Sequence, residues 1–237
     1  WVAHPDTDEV VRLDPGTGRV VARIKLGRLP FQVAPGDRRF LPSLVAVGAG
    51  AGWVATGRGA VARIDLASNR VAAVIKLLPA SPAGIAVAGG SVWVAAGGDG
   101  VARIEAATNR LLGTIRLDLY AERVAVGGGA IWVGGPTTDP IVEIAGAVAR
   151  IDAATGRVRE IVPTGLPIGL AAAAGAVLVT EPDAVGGALE CIDPERLPAA
   201  MTLQPALGEL AVGGGAVWVA DRRGSLVYRL DPDRLPC

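Results

Sequence analysis

The residues best suited to chemistry in this sequence are carboxylates and guanidinium groups that stand at the ends of short apolar runs. Carboxylate oxygens that the chain brings together can hold a hard cation such as Ca²⁺. Charged and aromatic side chains on loops can equally bind a ligand or a partner protein. Ten such residues are our candidates for one ligand-binding site: Arg58, Asp99, Tyr120, Glu122, Arg123, Glu181, Asp183, Glu209, Asp221 and Arg222.

Groups that commonly carry catalysis or bind transition metals are scarce. His4 is the one histidine of the chain, so a site of clustered histidines is excluded and a Ser-His-Asp triad would have to use His4. Cys191 and Cys237 are too few for a four-ligand metal site; they form either one disulfide or a buried thiol and a free terminal one. No compact Asp-x-Asp-x-Asp-Gly loop is present. We therefore expect no cofactor, with a divalent cation among the candidate carboxylates as the alternative.

Composition and charge exclude several functional classes. The chain has 23 basic and 23 acidic residues, and the basic ones are scattered, whereas a nucleic-acid binder needs a basic face. Hydrophobic residues make up 51% of the chain, so a large core can form. No apolar run of about 18 residues is free of charges and glycine turns, so we expect no membrane insertion. We expect a monomer whose partner is a protein or a small-molecule ligand.

The elements that position the candidate residues form a repeat. Each of the five tryptophans is followed by valine, and Leu178-Val179 fills a sixth place, at intervals of 52, 40, 39, 46 and 40 residues. A period near 40 is typical of a propeller blade or a solenoid unit. A large ring at one position of every unit suits the gap between neighbouring blades, so we expect the tryptophans to pack there rather than to bind ligand.

Residues 85–117 show the anatomy of one unit. Four short runs rich in β-branched residues are separated by turns such as Gly89-Gly90 and 106–109. No stretch has a helical period with caps at both ends, which excludes a helical solenoid. Four antiparallel strands per unit, named A to D in chain order, predict the blade of a β-propeller. Strand B carries the tryptophan.

Strand C ends in Arg-x-Asp, as in Arg63-Ile64-Asp65. The two charged residues share one face of the strand, and the apolar residue faces the other way. This pair is either a recognition stripe or part of a solvated outer strand with cross-strand charge pairs. We favour the second interpretation, because a motif repeated around a ring faces every direction. The aspartate also begins the C–D turn, where it can accept backbone N–H groups before an Asn or Gly with positive φ.

The strand count predicts an all-β fold, a β-propeller of about six four-stranded blades in a single domain over residues 1–237. The first blade has strands B to D and the last has A to C, which makes 22 strands. Both ends carry B and C, so they cannot merge into one blade. We therefore expect a domain trimmed from a longer chain, the alternative being a ring with incomplete first and last blades.

The D–A and B–C connections of a four-stranded blade lie on the same face, so the ten candidates should converge on one rim of the channel. Residues 30–43 and 133–147 lengthen two connections on that face. Insertions in repeats are often located on the binding face. The alternative to a binding site is a solvated polar rim that binds no ligand.

The repeat resembles the YVTN-type family of β-propellers. The similarity is carried by Val92-Trp93-Val94-Ala95, by the Arg-Ile-Asp-x-Ala-Thr-Asn/Gly-Arg turn, and by strands of the form Val-x-x-x-Ile-x-Leu, such as 71–77. The chain is also similar to streptogramin B lyase propellers, which share the Trp-Val strand. The family includes surface-layer proteins, sensor ectodomains, extracytoplasmic binding modules and a few lyases, so the resemblance implies an extracytoplasmic protein. The composition, rich in Ala, Gly, Val and Arg, is similar to that of GC-rich bacteria, so we expect a bacterial protein.

These observations favour a non-catalytic ligand- or protein-binding scaffold that acts at the rim and lies in an extracellular, periplasmic or cell-surface compartment. One alternative is a lyase-like, metal-dependent enzyme that uses His4 and rim carboxylates. A second alternative is a purely structural or engineered repeat scaffold.

Overall fold

The computed structural model describes most of the chain in two compact units, residues 1–116 and 117–237. In the described part, antiparallel β-strands form six sheets, numbered here in chain order. No helix among the described residues is long and apolar enough to cross a membrane. The described residues are 1–4, 8–27, 42–56, 59–77, 82–138, 146–173, 176–182, 187–193, 199–203, 207–221 and 223–235.

The first unit contains three sheets, and every strand pairs with its neighbour in sequence. Sheet 1 has three strands, which correspond to strands B to D of the repeat, while sheets 2 and 3 are complete. The strands of sheet 1 are β1 (Val2–His4), β2 (Glu9–Leu13) and β3 (Val20–Lys25); those of sheet 2 are β4 (Pro42–Gly48), β5 (Ala51–Thr56), β6 (Ala60–Asp65) and β7 (Arg70–Lys76); those of sheet 3 are β8 (Gly84–Ala88), β9 (Ser91–Ala95), β10 (Val101–Glu105) and β11 (Arg110–Ile115).

The second unit repeats this plan, with two complete sheets followed by one of three strands, A to C. A short 3₁₀ turn at Pro232–Arg234 follows the last strand. The strands of sheet 4 are β12 (Arg123–Gly127), β13 (Ala130–Pro136), β14 (Gly146–Asp152) and β15 (Val158–Thr164); those of sheet 5 are β16 (Gly169–Ala173), β17 (Ala176–Pro182), β18 (Gly187–Ile192) and β19 (Ala199–Leu203); those of sheet 6 are β20 (Leu207–Gly213), β21 (Ala216–Asp221) and β22 (Val227–Leu230).

The predicted order of strands is confirmed: the described residues form 22 strands in sheets of three, four, four, four, four and three. The insertion predicted at 133–147 is shorter than expected, because β13 continues to Pro136 and β14 begins at Gly146. The insertion predicted at 30–43 ends earlier, since β4 begins at Pro42; residues 30–41 lie outside the described residues.

The core is built from the strand-B face of one sheet packed on the next sheet. Trp53 is fully buried and belongs to one cluster with Val92 and Ile104 of sheet 3. Trp132 is fully buried with Val177 and Ile192 of sheet 5. These contacts confirm the predicted packing of tryptophan between sheets. Trp218 of sheet 6 departs from the pattern, because 40% of its surface is exposed.

The arginine of strand C lies over the tryptophan of the same sheet. Trp53 is directly opposite Arg63 in the strand register, and the guanidinium carbon is 5.6 Å from the centre of the indole. Arg63 also donates from Nη1 to Oδ1 of Asn109, in the C–D turn of sheet 3, at 3.2 Å. The favoured interpretation as a solvated outer strand with charge pairs is therefore wrong for Arg63, which covers an aromatic ring and joins two sheets.

The C–D turns have the predicted geometry. The Asp65 carboxylate accepts hydrogen bonds from the backbone N–H and the hydroxyl of Ser68, each at 2.7 Å. Asn69 then adopts a φ of 53°, in the left-handed region that closes the hairpin. The aspartate of Arg-x-Asp is thus occupied by its own turn.

Close packing between sheets 4 and 5 predicts that Gly127→Ala destabilises the protein. A Cβ atom at Gly127, the last residue of β12, would lie 2.5 Å from Cβ of Ala172, so the two sheets would have to separate. We expect the free energy of unfolding to fall by about 1–3 kcal/mol, measured by urea denaturation. Gly213 ends β20 in the same way but has nothing within 4 Å. The control Gly213→Ala should change stability by less than about 0.5 kcal/mol; equal losses in both variants would contradict the packing.

Candidate binding pocket

The D–A ends of sheets 4, 5 and 6 surround one pocket in the second unit. Its volume is about 340 Å³. Each of the three sheets supplies residues from strand A or from the connection that leads into it, and sheet 6 adds one residue of strand B. We call it the Arg123 pocket, and it is lined by Glu122, Arg123, Leu166, Pro167, Ile168, Glu209 and Ala220.

Arg123, at the start of β12, connects the three sheets. Its Nε donates to the backbone carbonyl of Ile168, which leads into β16, at 2.6 Å. Its Nη2 lies 3.3 Å from Oε1 of Glu209 in β20. The Arg123 side chain is 28% exposed, whereas that of Glu209 is 67% exposed. The guanidinium is therefore held by a carbonyl and a carboxylate on one wall of the pocket.

Backbone contacts between sheets 5 and 6 place Glu209. The fully buried hydroxyl of Thr180 donates to the carbonyl of Gly208 at 2.6 Å. The register of β20 on β21 shifts between Leu207 and Leu210, so Glu209 lies at an irregularity of the strand. Bulges of this kind redirect side chains at the ends of sheets. Glu209 itself belongs to strand A, since β20 begins at Leu207.

The apolar wall of the pocket consists of Leu166, Pro167 and Ile168. Pro167 is buried against sheet 4, where Cβ atoms at Gly134 and Gly146 would lie 3.3 Å and 2.4 Å from its ring. Ile168 is fixed by a backbone hydrogen bond to the carbonyl of Thr180 at 2.8 Å. Sequence reasoning missed this wall because it selected polar residues. The signal that was available is the position of the segment in a D–A connection.

Tyr120 and Glu122 lie on the same side of the extended segment that leads into β12. The alternating residues Leu119 and Ala121 are fully buried, whereas Tyr120 is 48% exposed. Backbone hydrogen bonds hold the segment along β13. The N–H of Tyr120 donates to the carbonyl of Pro136 at 2.7 Å, and the N–H of Glu122 donates to the carbonyl of Gly134 at 3.0 Å. An exposed aromatic ring therefore lies two residues from a carboxylate of the pocket.

Glu181 lies in β17, and its carboxylate is packed against Gly165, next to the apolar wall. A Cβ atom at Gly165 would lie 2.5 Å from Oε2 of Glu181. Oε1 is buried and has no hydrogen-bond partner among the described residues. Burial, with the negative charge of neighbouring Glu190, raises the pKa of Glu181 to about 7. Burial also raises the pKa of Glu190. The hydrogen bond with Glu181 acts in the opposite sense and lowers the pKa of Glu190, so the charge of Glu190 disfavours ionisation of Glu181 alone.

Two further candidates that the structure describes, Asp221 and Asp99, do not line the Arg123 pocket. The Asp221 carboxylate accepts the backbone N–H groups of Gly224 at 3.0 Å and Arg223 at 2.9 Å, which lowers its pKa and gives it a turn-forming role. Asp99 is in the first unit, in a turn after β9, with its N–H directed to the carbonyl of Ala96. Arg58, Asp183 and Arg222 lie outside the described residues.

His4 and Cys191 are also located. His4 is exposed at the end of β1 and lies opposite Glu9 in the strand register. Oε2 of Glu9 lies 3.7 Å from Nη1 of Arg23. Cys191 is buried in β18 and is disulfide-bonded, while Cys237 lies outside the described residues. In the part of the chain that the structure describes, no group of three or more His, Cys, Asp or Glu residues could hold a metal ion.

Comparison with solved structures shows the class of fold. No protein-family model and no curated protein matches the chain. BamB from Moraxella catarrhalis is similar at 15% identity, with a TM-score of 0.65 over 95% of this chain and 67% of that one. A chain of the mitotic checkpoint complex has 13% identity and a TM-score of 0.71 over 95% of this chain and 71% of its own. BBS1N, solved in complex with ARL6DN, has 16% identity and a TM-score of 0.69 over 97% of this chain and 73% of its own. The chain is a β-propeller.

The raised pKa of Glu181 predicts a pH-dependent stability. Glu181 holds its proton more tightly in the folded chain, with a pKa of about 7, than in the unfolded chain, where the pKa is about 4.5. Its stabilising contribution is therefore complete below about pH 4.5 and is lost as the pH rises through about 7. Glu181→Gln removes the ionising group, so we expect the variant to be more stable than wild type at pH 8 by about 1–3 kcal/mol, discounted for partial exposure.

The measurement is urea denaturation of both proteins across this pH range. The matched control is Glu160→Gln, which alters an ion pair elsewhere in the same unit, with Oε1 of Glu160 3.4 Å from Nη1 of Arg150. Its free energy of unfolding should change with pH as that of wild type does. If the free energies of unfolding of wild type and Glu181→Gln changed with pH in parallel, the prediction would be contradicted, because the pKa of Glu181 would then be the same in the folded and the unfolded chain.

Proposed function

We propose that this protein is a non-catalytic scaffold that binds a protein or small-molecule ligand at the rim formed by its B–C and D–A loops. The observation that carries the proposal is the Arg123 pocket, to which three consecutive sheets contribute residues. Strands supply Arg123, Glu209 and Ala220, and the connecting segments supply the other lining residues. Binding residues are commonly presented in this way by a stable β-scaffold.

The composition of the pocket supports a protein partner. It combines a half-buried arginine, two glutamates and an apolar wall, with an exposed tyrosine beside it. Tyrosine and arginine are enriched at protein interfaces, where one part of the side chain packs and another forms hydrogen bonds. Two of the similar structures belong to protein assemblies, the mitotic checkpoint complex and BBS1N with ARL6DN, and this also supports a protein partner.

We further propose a YVTN-type, exported protein. The disulfide at Cys191 supports an oxidising compartment, because such bonds are rare in the reducing cytosol. Alkylation of the denatured protein purified from its native host tests this: a thiol at Cys191 should react only after reduction. Full alkylation without a reductant would contradict the assignment.

A peptide selection tests binding at the rim. A random peptide library displayed on phage is selected against the full chain, against Glu122→Gln/Glu209→Gln and against Glu160→Gln. We expect wild type and Glu160→Gln to enrich the same sequence motif and the double variant to lose it, because only the double variant alters the Arg123 pocket. Enrichment of one motif by all three proteins, or of none by any, would contradict a protein partner at this pocket.

A further inference from the structure

We infer that the Arg123 pocket recognises a cationic side chain, arginine or lysine, presented by a segment of a partner protein. The inference rests on the proposed function, since it assigns a chemical class of ligand to the same pocket. Three features of the described residues support it: the charge of the pocket, the distribution of hydrogen-bond acceptors and the neighbouring aromatic ring.

The charged residues that line the pocket leave a negative excess. Glu122 and Glu209 contribute two carboxylates, and Arg123 contributes one guanidinium. Arg123 is already engaged by the carbonyl of Ile168 at 2.6 Å and by Glu209 at 3.3 Å. An anionic ligand would have to compete with both partners. The net charge of these residues therefore favours a cation.

Unused hydrogen-bond acceptors point to the same ligand. Among the described residues, the Glu122 carboxylate takes part in no hydrogen bond or ion pair. The Glu209 side chain is 67% exposed, and only Oε1 faces Arg123. Carboxylate oxygens accept the N–H groups of guanidinium and ammonium, and these charge-assisted bonds are stronger than neutral ones. The pocket can thus satisfy a donor-only ligand.

The apolar parts of the site fit the rest of such a side chain. Arginine and lysine have long aliphatic stems that pack on apolar surfaces while the charged group forms polar contacts. Leu166, Pro167 and Ile168 provide that surface within the pocket. Tyr120 does not line the pocket, but it is 48% exposed and two residues from Glu122, where it is available to the rest of the bound segment. A metal ion would make no use of either feature.

The test uses the motif obtained in the peptide selection. A synthetic peptide with that motif is compared with one in which its basic residue is replaced by citrulline for arginine or norleucine for lysine, which keeps the aliphatic stem and removes the charge. Binding to the full chain is measured by isothermal titration calorimetry. We expect the neutral peptide to bind about tenfold more weakly or worse, and Glu122→Gln to abolish this preference. Glu160→Gln should retain it.

The outcomes separate the two proposals. A pocket-dependent motif without arginine or lysine would overturn the cationic ligand and leave the binding role intact. Equal affinity for the charged and neutral peptides, or an unchanged preference in Glu122→Gln, would also overturn it. Absence of any pocket-dependent motif would contradict the proposed protein partner, and the ligand class with it. Circular dichroism of each variant must match wild type, since loss of folding would mimic loss of binding.

Discussion

Burial of the strand-B tryptophan of one sheet against the valine and isoleucine side chains of the next sheet is the contact on which the structure depends. Trp53 is buried in this way by Val92 and Ile104, and Trp132 by Val177 and Ile192. A single sheet of three or four strands cannot bury both of its faces alone. Stacking sheets at a constant repeat solves that problem within each unit and also aligns the ends of their strands.

Alignment of strand ends creates the site. Arg123 and Ile168 are 45 residues apart in sequence yet share a hydrogen bond, because each stands near the start of strand A in neighbouring sheets. Glu209 joins them from the sheet after. No single repeat contains the pocket, so its chemistry depends on differences between repeats rather than on the shared motif. This division explains why the most regular residues, the tryptophans, serve packing, while irregular residues at the strand ends form the pocket.

The sequence predicted the repeat and the strand order, because both follow from strand position within a period. Of the ten rim candidates that it named, Glu122, Arg123 and Glu209 line one pocket. The sequence could not predict which candidates have other partners. Asp221 is occupied by backbone N–H groups of its own turn, a local geometry that an exposed carboxylate does not reveal in sequence. Glu181 acquires its raised pKa from burial, with its carboxylate packed on Gly165 of the connection between β15 and β16, and from the charge of Glu190. The apolar wall was missed because its residues carry no charge.

Hydrogen exchange tests the central claim most directly. The exchange rates of backbone amides are compared by mass spectrometry in the free chain and in the chain saturated with a selected peptide. The account predicts slower exchange in the peptides that cover residues 117–123, 165–169 and 207–210, the three segments around the Arg123 pocket. Protection confined to the A–B turns at 127–130 and 213–216, with no change in these three segments, would contradict it.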